Sequence, residues 1–363
     1  MERSKPTRPA AALIIGCAVL IAGLILFDAK SSLSPPQSSS RTRRRLFSIV
    51  KSFSSPETVQ LKHQRSAVIA PDELHPWARD LLLPLSSPPD PATETAIFWH
   101  IPKSGGTSAK SIVQCHGRVI HEVSRPESIR RYEGAAGPVR SDQWTSHVIF
   151  SSAPEKVITA LFDKDHKGRA LAMFRHPVDR LVSKFFYLQI ATWESTYRPD
   201  WKGMDPLVWA QRENSDNNHH VKRLAGKVQR DTATEEDLIL AMNTVRERII
   251  VGLMDDMKES FRRFRKVVGI KGSEMASPWC YGVKSNSNSH PKVERGSPAW
   301  ELLAEQNALD IRLYEYVVQL FDEQKDIIDS YPTKISGVAK VEENWPKDTR
   351  NPRIWKSKFK EAA

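Results

Sequence analysis

The chain has 363 residues, of which 40% are hydrophobic and 27% are charged, and these values are ordinary for a globular protein. Its net charge of +11 is concentrated near the amino terminus, where residues 1–65 hold 11 Lys and Arg against 3 Asp and Glu, while the other residues hold 43 against 40. A basic tail on a nearly neutral body favours a membrane surface or a polyanion over a domain that reads nucleic acid. We therefore expect no nucleic-acid partner.

Residues 10–27 form an uncharged, apolar run of 18 residues. As a helix this run would extend about 27 Å, just enough to span a bilayer core of about 30 Å. Basic residues lie on both sides of the run, so charge alone does not fix its orientation. A cleaved signal peptide is the alternative, although Phe27, Asp28 and Ala29 make a poor cleavage site. We predict a cytoplasmic tail at 1–9, a single-pass type II anchor at 10–27 and a luminal body.

A stretch rich in Ser and Pro follows, and we predict that residues 28–94 form a stem that holds a domain away from the membrane. Within it, a short amphipathic piece around residues 77–83 has the composition to pack on that domain. The domain is predicted at 95–330, with a basic extension at 331–363. Its two cysteines, Cys115 and Cys280, form either a long-range disulfide or a pair of buried thiols.

Strand and helix patterns alternate through the predicted domain. Short apolar runs predict strands at TAIFWHI, RALAMF and RIIVGL, which begin at residues 95, 169 and 248, and helical periodicity follows each of them. A last helix is predicted to start with Asp310 as its cap and to bury one face that holds Ile311, Tyr314, Val318 and Phe321. These patterns predict an α/β fold, a parallel sheet flanked by helices, with ligands bound beyond the carboxyl ends of the strands.

Residues 98–111, FWHIPKSGGTSAKS, join the first predicted strand to a helix through a glycine pair. Gly105 and Gly106 let backbone N–H groups approach an anion, and the following helix presents its positive end to the same point. Lys103 adds a positive charge, and hydroxyl donors are present at Ser104, Thr107 and Ser108. The nucleoside-triphosphate loop needs its lysine after the second glycine, so this spacing disfavours an ordinary kinase or ATPase.

A second anion-binding pattern is FRHPVDRLVSKFF, residues 174–186. Arg175 ends a predicted strand, where its guanidinium can bind a phosphate through two hydrogen bonds. Ser183 lies eight residues later, in the helix that Pro177 begins. A sharp reversal between strand and helix would bring Arg175 and Ser183 to one phosphate. The two patterns together predict a ligand with two separated phosphate groups.

The ordered pair HIPKSGGTS and FRHPVDRLVSKFF resembles the paired signature of the PAPS-dependent sulfotransferases, and it is most similar to the Golgi carbohydrate branch with the heparan and uronyl 2-O- and 6-O-sulfotransferases. The similarity continues through IIVGLMDDMKESFRRFRKVVG and NALDIRLYEYVVQLFDEQ and covers residues 95–325. It implies a sulfotransferase fold with a P-loop-like phosphosulfate-binding loop, PAPS as the sulfuryl donor, and a glycan hydroxyl as the acceptor in the Golgi lumen. By this resemblance, the site for the 5′-phosphosulfate consists of Lys103, Ser104, Gly105, Gly106, Thr107 and Ser108, and the site for the 3′-phosphate consists of Arg175 and Ser183.

The resemblance also implies the catalytic groups. Lys103 would stay on the bridging oxygen of the donor as negative charge develops there. His147, in SHVIFSSAPE, matches the segment that carries the histidine base of the 2-O and 6-O enzymes, and an imidazole suits that task. Other branches of the family use a glutamate, so three alternatives to His147 remain: His100, His121 and Glu122.

Two further segments are interpreted more simply. The adjacent histidines of DNNHH, residues 216–220, are expected in an exposed loop, and no metal is expected because sulfuryl transfer requires none. The polar segment 284–294 is a candidate lid over the donor or else a surface loop. Three other functions share parts of the signature: a nucleotide kinase of related P-loop fold, an inactive anion-binding scaffold, and a protein-tyrosine sulfotransferase.

Overall fold

The computed structural model of the chain describes residues 74–90, 93–115, 119–123, 147–212, 216–268 and 290–332. All of them belong to one compact unit. The predicted anchor, the first part of the predicted stem and nearly all of the basic extension lie outside the described residues. Within the described ranges, no helix is both long enough and apolar enough to cross a membrane.

Five strands form one parallel sheet in the order β2-β3-β1-β4-β5. Their bounds are Glu94–Trp99 for β1, Val119–Glu122 for β2, His147–Ser151 for β3, Lys167–Phe174 for β4 and Ile249–Leu253 for β5. This confirms the predicted α/β fold with a parallel sheet. The strands β1, β4 and β5 coincide with the three apolar runs, to within one or two residues.

Ten α-helices are present in the described part of the chain. The first five are α1 Pro76–Leu81, α2 Gly106–Cys115, α3 Pro154–Leu161, α4 Pro177–Leu188 and α5 Pro206–Ala210. The other five are α6 His219–Leu224, α7 Glu235–Arg248, α8 Met257–Val267, α9 Pro298–Gln306 and α10 Ala308–Ser330. Several begin at a proline, whose fixed φ suits the first helical position and whose missing N–H is not needed there.

Helices cover both faces of the sheet. Because side chains alternate along each strand, successive residues of a strand pack into two different cores, one on each face. On one face, Ile97 and Trp99 of β1 join a core with residues of α3, α6, α7 and α10. On the other face, Phe98 joins a core with residues of α2 and α8. The strands are therefore buried on both sides, which explains why they appear in the sequence as nearly continuous apolar runs.

The folded domain begins earlier than the predicted boundary at residue 95. Trp77 and Leu82 are buried in the core, and Leu82 forms a parallel bridge with Gly168 of β4. Leu85 is also buried, and its carbonyl accepts a hydrogen bond from the Tyr331 hydroxyl. Residues 74–90 thus belong to the domain rather than to a stem, since their apolar side chains complete the core at the β4 side.

Helix α10 departs from the prediction in its start and in its buried face. Its N-cap residue is Asn307, and Asp310 lies within the first turn with its side chain fully buried. Val318, which was predicted on the buried face, is 38% exposed. The buried positions are instead Asp310, Leu313, Val317, Leu320, Phe321, Gln324 and Ile328. The sequence pattern alone did not distinguish this face from the neighbouring one, because apolar residues occur on both.

Candidate functional site

The strand order reverses direction between β1 and β4. After β1 the chain moves to β2 and β3 on one side, whereas β4 and β5 lie on the other side of β1. Such a reversal leaves a crevice beyond the carboxyl ends of the two central strands, where ligands of open α/β folds bind. The glycine loop follows β1 and Arg175 follows β4, so both anion-binding patterns border this crevice.

The glycine loop has an unusual backbone that close packing explains. Lys103 has φ of 68° and Gly105 has φ of 83°. A side chain on Gly105 would come within 2.9 Å of the Met254 sulfur, and one on Gly106 would come within 2.0 Å of the His100 ring. The left-handed conformation costs a residue with a side chain about 1–2 kcal/mol, so surrounding contacts must hold Lys103 in place.

Polar groups of the loop are available to an anion. Ser104 is 1% exposed, and its hydroxyl oxygen is buried without a hydrogen-bond partner. Helix α2 begins at Gly106. At its amino terminus, the Ala109 N–H donates a hydrogen bond to the Gly105 carbonyl. The N–H groups before that bond have no partner inside the helix. A buried, unpaired hydroxyl beside a helix amino terminus fits an oxyanion ligand.

The structure brings the two predicted patterns together. The Arg175 guanidinium donates a hydrogen bond to the Lys103 carbonyl, with 3.2 Å between Nη1 and oxygen. Burial lowers the pKa of Arg175, and the carboxylates of Asp179 and Asp255 oppose that shift. Arg175 therefore places a positive charge at the glycine loop and stabilises the strained backbone of Lys103. The rule for parallel sheets had placed both motifs beyond the carboxyl ends of their strands, and this contact shows that they lie side by side there.

Tyr187 holds the Lys103 side chain. The Lys103 ammonium lies 3.8 Å from the centroid of the Tyr187 ring, a cation–π contact. Burial, with a smaller contribution from the nearby Arg175 charge, lowers the pKa of Lys103 to about 8, while Glu194 opposes the shift. Tyr187 was not singled out from the sequence, since an aromatic residue in an apolar helix normally packs in a core. Nothing in the sequence alone distinguishes it from Phe185 or Phe186.

Ser183 lies inside a helix rather than in the glycine loop. It lies in α4 and is 6% exposed. It lies six positions after Pro177, the first residue of the helix, which corresponds to a rise of about 9 Å. The assignment of Ser183 to the site of Arg175 therefore stays a prediction. Thr107 is exposed and Ser108 is half-buried at the start of α2.

The DNNHH segment is not an exposed loop. Asp216, His219 and His220 are all buried, and α6 begins at His219. Asp216 pairs with the fully buried Arg180 at 2.9 Å. Burial alone would raise the pKa of Asp216, but the Arg180 charge and the other cations around the carboxylate outweigh it and hold that pKa well below its usual range. The prediction was wrong because the polar residues are satisfied by distant partners rather than by water.

Asp310 supplies the second of these partners. Its carboxylate accepts hydrogen bonds from the backbone N–H groups of His220 and Val221, at 3.0 and 2.9 Å, and contacts His220 Nδ1 at 2.6 Å. Asp310 therefore acts as a cap for α6 across the fold, not as the cap of its own helix. These histidines are structural in arrangement. In the described ranges, no group of three or more His, Cys, Asp or Glu residues is placed to hold a metal ion.

His147 lies at the wrong edge of the sheet for the predicted base. It is the first residue of β3 and pairs with Val119, the first residue of β2. The glycine loop lies beyond the opposite end of the strand, where Ser151 pairs with Trp99. In a parallel sheet the five-residue strand separates these ends by about 13 Å. This placement favours the three alternatives over His147, whose role as the base stays a prediction.

The three alternative bases all lie at the correct edge. His100 follows β1, and burial lowers its pKa to about 4, with a smaller contribution from Lys110. His121 and Glu122 end β2. The Glu122 carboxylate is 2.6 Å from the Lys110 ammonium of α2, and its side chain is 67% exposed. Glu122 thus combines a proton-accepting group, access from solvent and a tether to the helix that starts at the glycine loop.

Two aromatic contacts near Arg175 were missed in the sequence. His176 stacks on Trp300 of α9, with ring centroids 5.2 Å apart, and lies edge-on to Tyr314 of α10. The Tyr314 hydroxyl donates to Asp255 at 3.1 Å, and Asp255 lies two residues after the end of β5. The rule that functional groups follow parallel strands would have pointed to Asp255. The candidate lid at 284–294 lies mostly outside the described residues, although His290 stacks on Phe186 at 4.9 Å.

Comparisons with protein-family models, with curated proteins and with solved structures give no match for this chain. The site is therefore interpreted from its own geometry and from the motifs of the sequence.

Proposed function

We propose that the protein transfers a sulfuryl group from PAPS to a hydroxyl group of a glycan. One observation carries the proposal: the Arg175 guanidinium, from the second motif, donates a hydrogen bond at 3.2 Å to the backbone carbonyl of Lys103 in the glycine loop, in the crevice where the strand order reverses. A guanidinium beside a lysine-bearing loop and a helix amino terminus suits a ligand with more than one phosphate-like group. The lysine-before-glycine order and the resemblance to sulfotransferases favour PAPS over a nucleoside triphosphate.

The residues of the loop can perform one of the two tasks that the reaction sets, which is to stabilise the departing phosphate. Sulfuryl transfer breaks the bond from sulfur to the bridging oxygen of the donor and forms a bond from sulfur to the acceptor oxygen. Negative charge develops on the departing phosphate, and the Lys103 ammonium together with the α2 N–H groups would stabilise it. The buried Ser104 hydroxyl offers one further donor to the same oxyanion.

The acceptor hydroxyl must lose its proton, and we assign that proton to Glu122. Its exposed carboxylate lies at the carboxyl edge, on the second strand from β1 in the sheet, which corresponds to a lateral separation of about 10 Å. An acceptor hydroxyl between Glu122 and the glycine loop would be within reach of both. His100 is less suited, because its buried imidazole packs against Gly106 and its lowered pKa of about 4 makes it a weak base.

The test of this function uses the purified full-length chain in detergent. The chain is incubated with radiolabelled PAPS and a panel of neutral and uronate-containing glycans, with a tyrosine-containing acidic peptide and with ATP as the competing donor. Transfer of label to a glycan supports the proposal. Transfer to the peptide alone, phosphoryl transfer from ATP, or binding of 3′-phosphoadenosine 5′-phosphate without any transfer would each contradict it, in favour of the corresponding alternative function.

Arg175→Ala is expected to weaken binding of 3′-phosphoadenosine 5′-phosphate by about 10- to 150-fold, since a hydrogen bond to a charged group contributes about 1.5–3 kcal/mol. Calorimetric titration of the wild type and the variant with this ligand and with AMP, which lacks the 3′-phosphate, measures the effect. Wild type should prefer the bisphosphate, and Arg175→Ala should bind both ligands about equally. If the variant keeps the preference, Arg175 does not bind the 3′-phosphate.

Sulfuryl transfer should slow above pH 8, because the Lys103 pKa is lowered to about 8, chiefly by burial, and only the protonated ammonium stabilises the departing phosphate. The phosphate groups of the ligand are already fully ionised there, since their second pKa is about 6. The value of kcat/KM for PAPS should therefore fall about tenfold per pH unit on this limb. Lys103→Arg should remove the limb, because a guanidinium stays charged; an unchanged limb in that variant would assign the pKa to another group.

A further inference from the structure

Trp193 is the most exposed of the large apolar side chains in the described part of the chain. Its side chain is 69% exposed, compared with 51% for the neighbouring Ile190 and 58% for Ile239 on α7. It lies just after α4, the helix that follows Arg175. An indole exposed to this extent leaves a large apolar face in water, which is a feature of binding surfaces when the side chain is held in one orientation.

Two hydrogen bonds hold the indole in place. Trp193 Nε1 donates to the Tyr187 hydroxyl at 3.1 Å, and that hydroxyl donates to Glu194 Oε1 at 2.7 Å. The two rings meet edge to face, with centroids 6.2 Å apart and an interplanar angle of 67°. The polar atom of the indole is therefore satisfied by the protein, and its face remains free. Such an arrangement avoids most of the entropy cost of ordering the ring when a ligand binds.

The same tyrosine connects the indole to the proposed reaction centre. The Tyr187 ring carries the Lys103 ammonium at 3.8 Å on its face, while its hydroxyl fixes Trp193. Trp193 thus lies one aromatic ring away from the lysine that is proposed to contact the donor. A glycan whose hydroxyl reaches the glycine loop has its neighbouring sugar within reach of this indole.

The charge around the indole indicates which kind of sugar fits. The Glu194 carboxylate follows the indole in the chain and accepts a hydrogen bond from the Tyr187 hydroxyl. Arg198, the next cation along the chain, is already bound by both Asp200 oxygens, at 2.9 and 2.7 Å, and stacks on Trp201. The Lys103 ammonium interacts with Glu194 beside the Tyr187 ring and is assigned to the donor in this scheme. An anionic sugar on Trp193 would therefore face Glu194 without a cation of its own to offset the repulsion. The surroundings therefore favour an uncharged ring.

We propose that Trp193 forms an acceptor subsite that stacks an uncharged pyranose ring of the glycan, one sugar away from the residue that accepts the sulfuryl group. This inference rests on the proposed function. The C–H bonds on one face of a pyranose carry partial positive charge, and the negative face of an indole attracts them. Trp193 is a specificity-determining residue in this scheme, and Tyr187 and Glu194 are positioning residues.

The test compares four variants of the full-length chain: Trp193→Ala, Trp193→Leu, Trp193→Phe and, as the matched control, Ile239→Ala. Trp193→Ala is expected to raise the KM for a neutral oligosaccharide about tenfold, with kcat and the KM for PAPS unchanged. Trp193→Leu should resemble Trp193→Ala, because it keeps apolar surface but lacks a π face. Trp193→Phe should retain most of the affinity, and Ile239→Ala should equal the wild type.

Several results would overturn the subsite. An unchanged KM in Trp193→Ala for every acceptor, a full recovery in Trp193→Leu, or an increase in KM confined to uronate-containing chains each contradicts stacking of an uncharged ring. A loss of affinity for 3′-phosphoadenosine 5′-phosphate in Trp193→Ala also contradicts it, since that would place Trp193 at the donor. Failure of the proposed function is recognised separately, because the wild type itself would then show no glycan sulfation.

Discussion

Lys103→Ala is expected to lower kcat for sulfuryl transfer by about 100- to 1000-fold, the usual effect of removing one group that stabilises developing charge. The affinity for PAPS itself should fall much less. The reason is that the ammonium contributes most when negative charge accumulates on the departing phosphate, and that charge is larger in the transition state than in the bound donor. Single-turnover measurement of transfer, together with calorimetric titration of PAPS in the absence of an acceptor, separates the two effects.

The contacts of Lys103 make the comparison interpretable. Its ammonium lies on the Tyr187 ring and forms no ion pair with a carboxylate of the described residues. Removal of the side chain therefore leaves no carboxylate of those residues without an ion-pair partner. Its carbonyl, which accepts from Arg175, is retained in the variant. Lys164→Ala, at a lysine that is 89% exposed, is the matched control and should behave as the wild type. A loss of affinity for PAPS with kcat unchanged would show that Lys103 only binds the donor.

The fold was largely predictable because its strands are buried on both faces. Three uninterrupted apolar runs with helical segments between them gave β1, β4 and β5, and the rule for parallel sheets then placed the glycine loop and Arg175 at one edge. That prediction depends only on local pattern and on the direction of the chain. It therefore succeeded at Lys103 and Arg175, whose backbone positions are set by the ends of their strands.

The parts that failed depend on contacts between residues distant in the sequence. His220 looks like a residue of an exposed loop until Asp310, 90 positions later, caps its helix. Tyr187 looks like one more core aromatic residue until the strained backbone of Lys103 turns the ammonium onto its ring. Local composition contains neither relation. Both arise from how α10 packs on α6 and how α4 lies beside the glycine loop.

His147 shows how strand direction limits an assignment made from a motif, although the motif does form a strand. Residues 147–151 form β3. The strand begins with His147 at the edge of the sheet far from the site and ends with Ser151 at the edge near it. The direction of a parallel strand decides which of its residues reaches the carboxyl edge, and His147 is the residue farthest from that edge. Glu122 ends β2, the neighbouring strand, and so lies at the edge that His147 cannot reach.

Glu122→Gln should therefore lower kcat by about 100- to 10,000-fold, the range for loss of a general base, while His147→Ala should leave kcat nearly unchanged. Glutamine keeps the size of the side chain but does not accept a proton, and affinity for 3′-phosphoadenosine 5′-phosphate should be unaffected because Glu122 does not contact the donor in this scheme. Steady-state kinetics with saturating PAPS and glycan measure the effect.

Glu235→Gln controls for the loss of an exposed, ion-paired carboxylate, since Glu235 pairs with Arg312 at 2.6 Å with its side chain 59% exposed. It should have the kcat of the wild type. A large loss in His147→Ala together with normal turnover in Glu122→Gln would reverse the assignment, and it would require β3 to be displaced along its axis by most of its length during the reaction. The pairing of β3 with both β1 and β2 opposes such a displacement, because each register shift breaks hydrogen bonds on two sides of the strand.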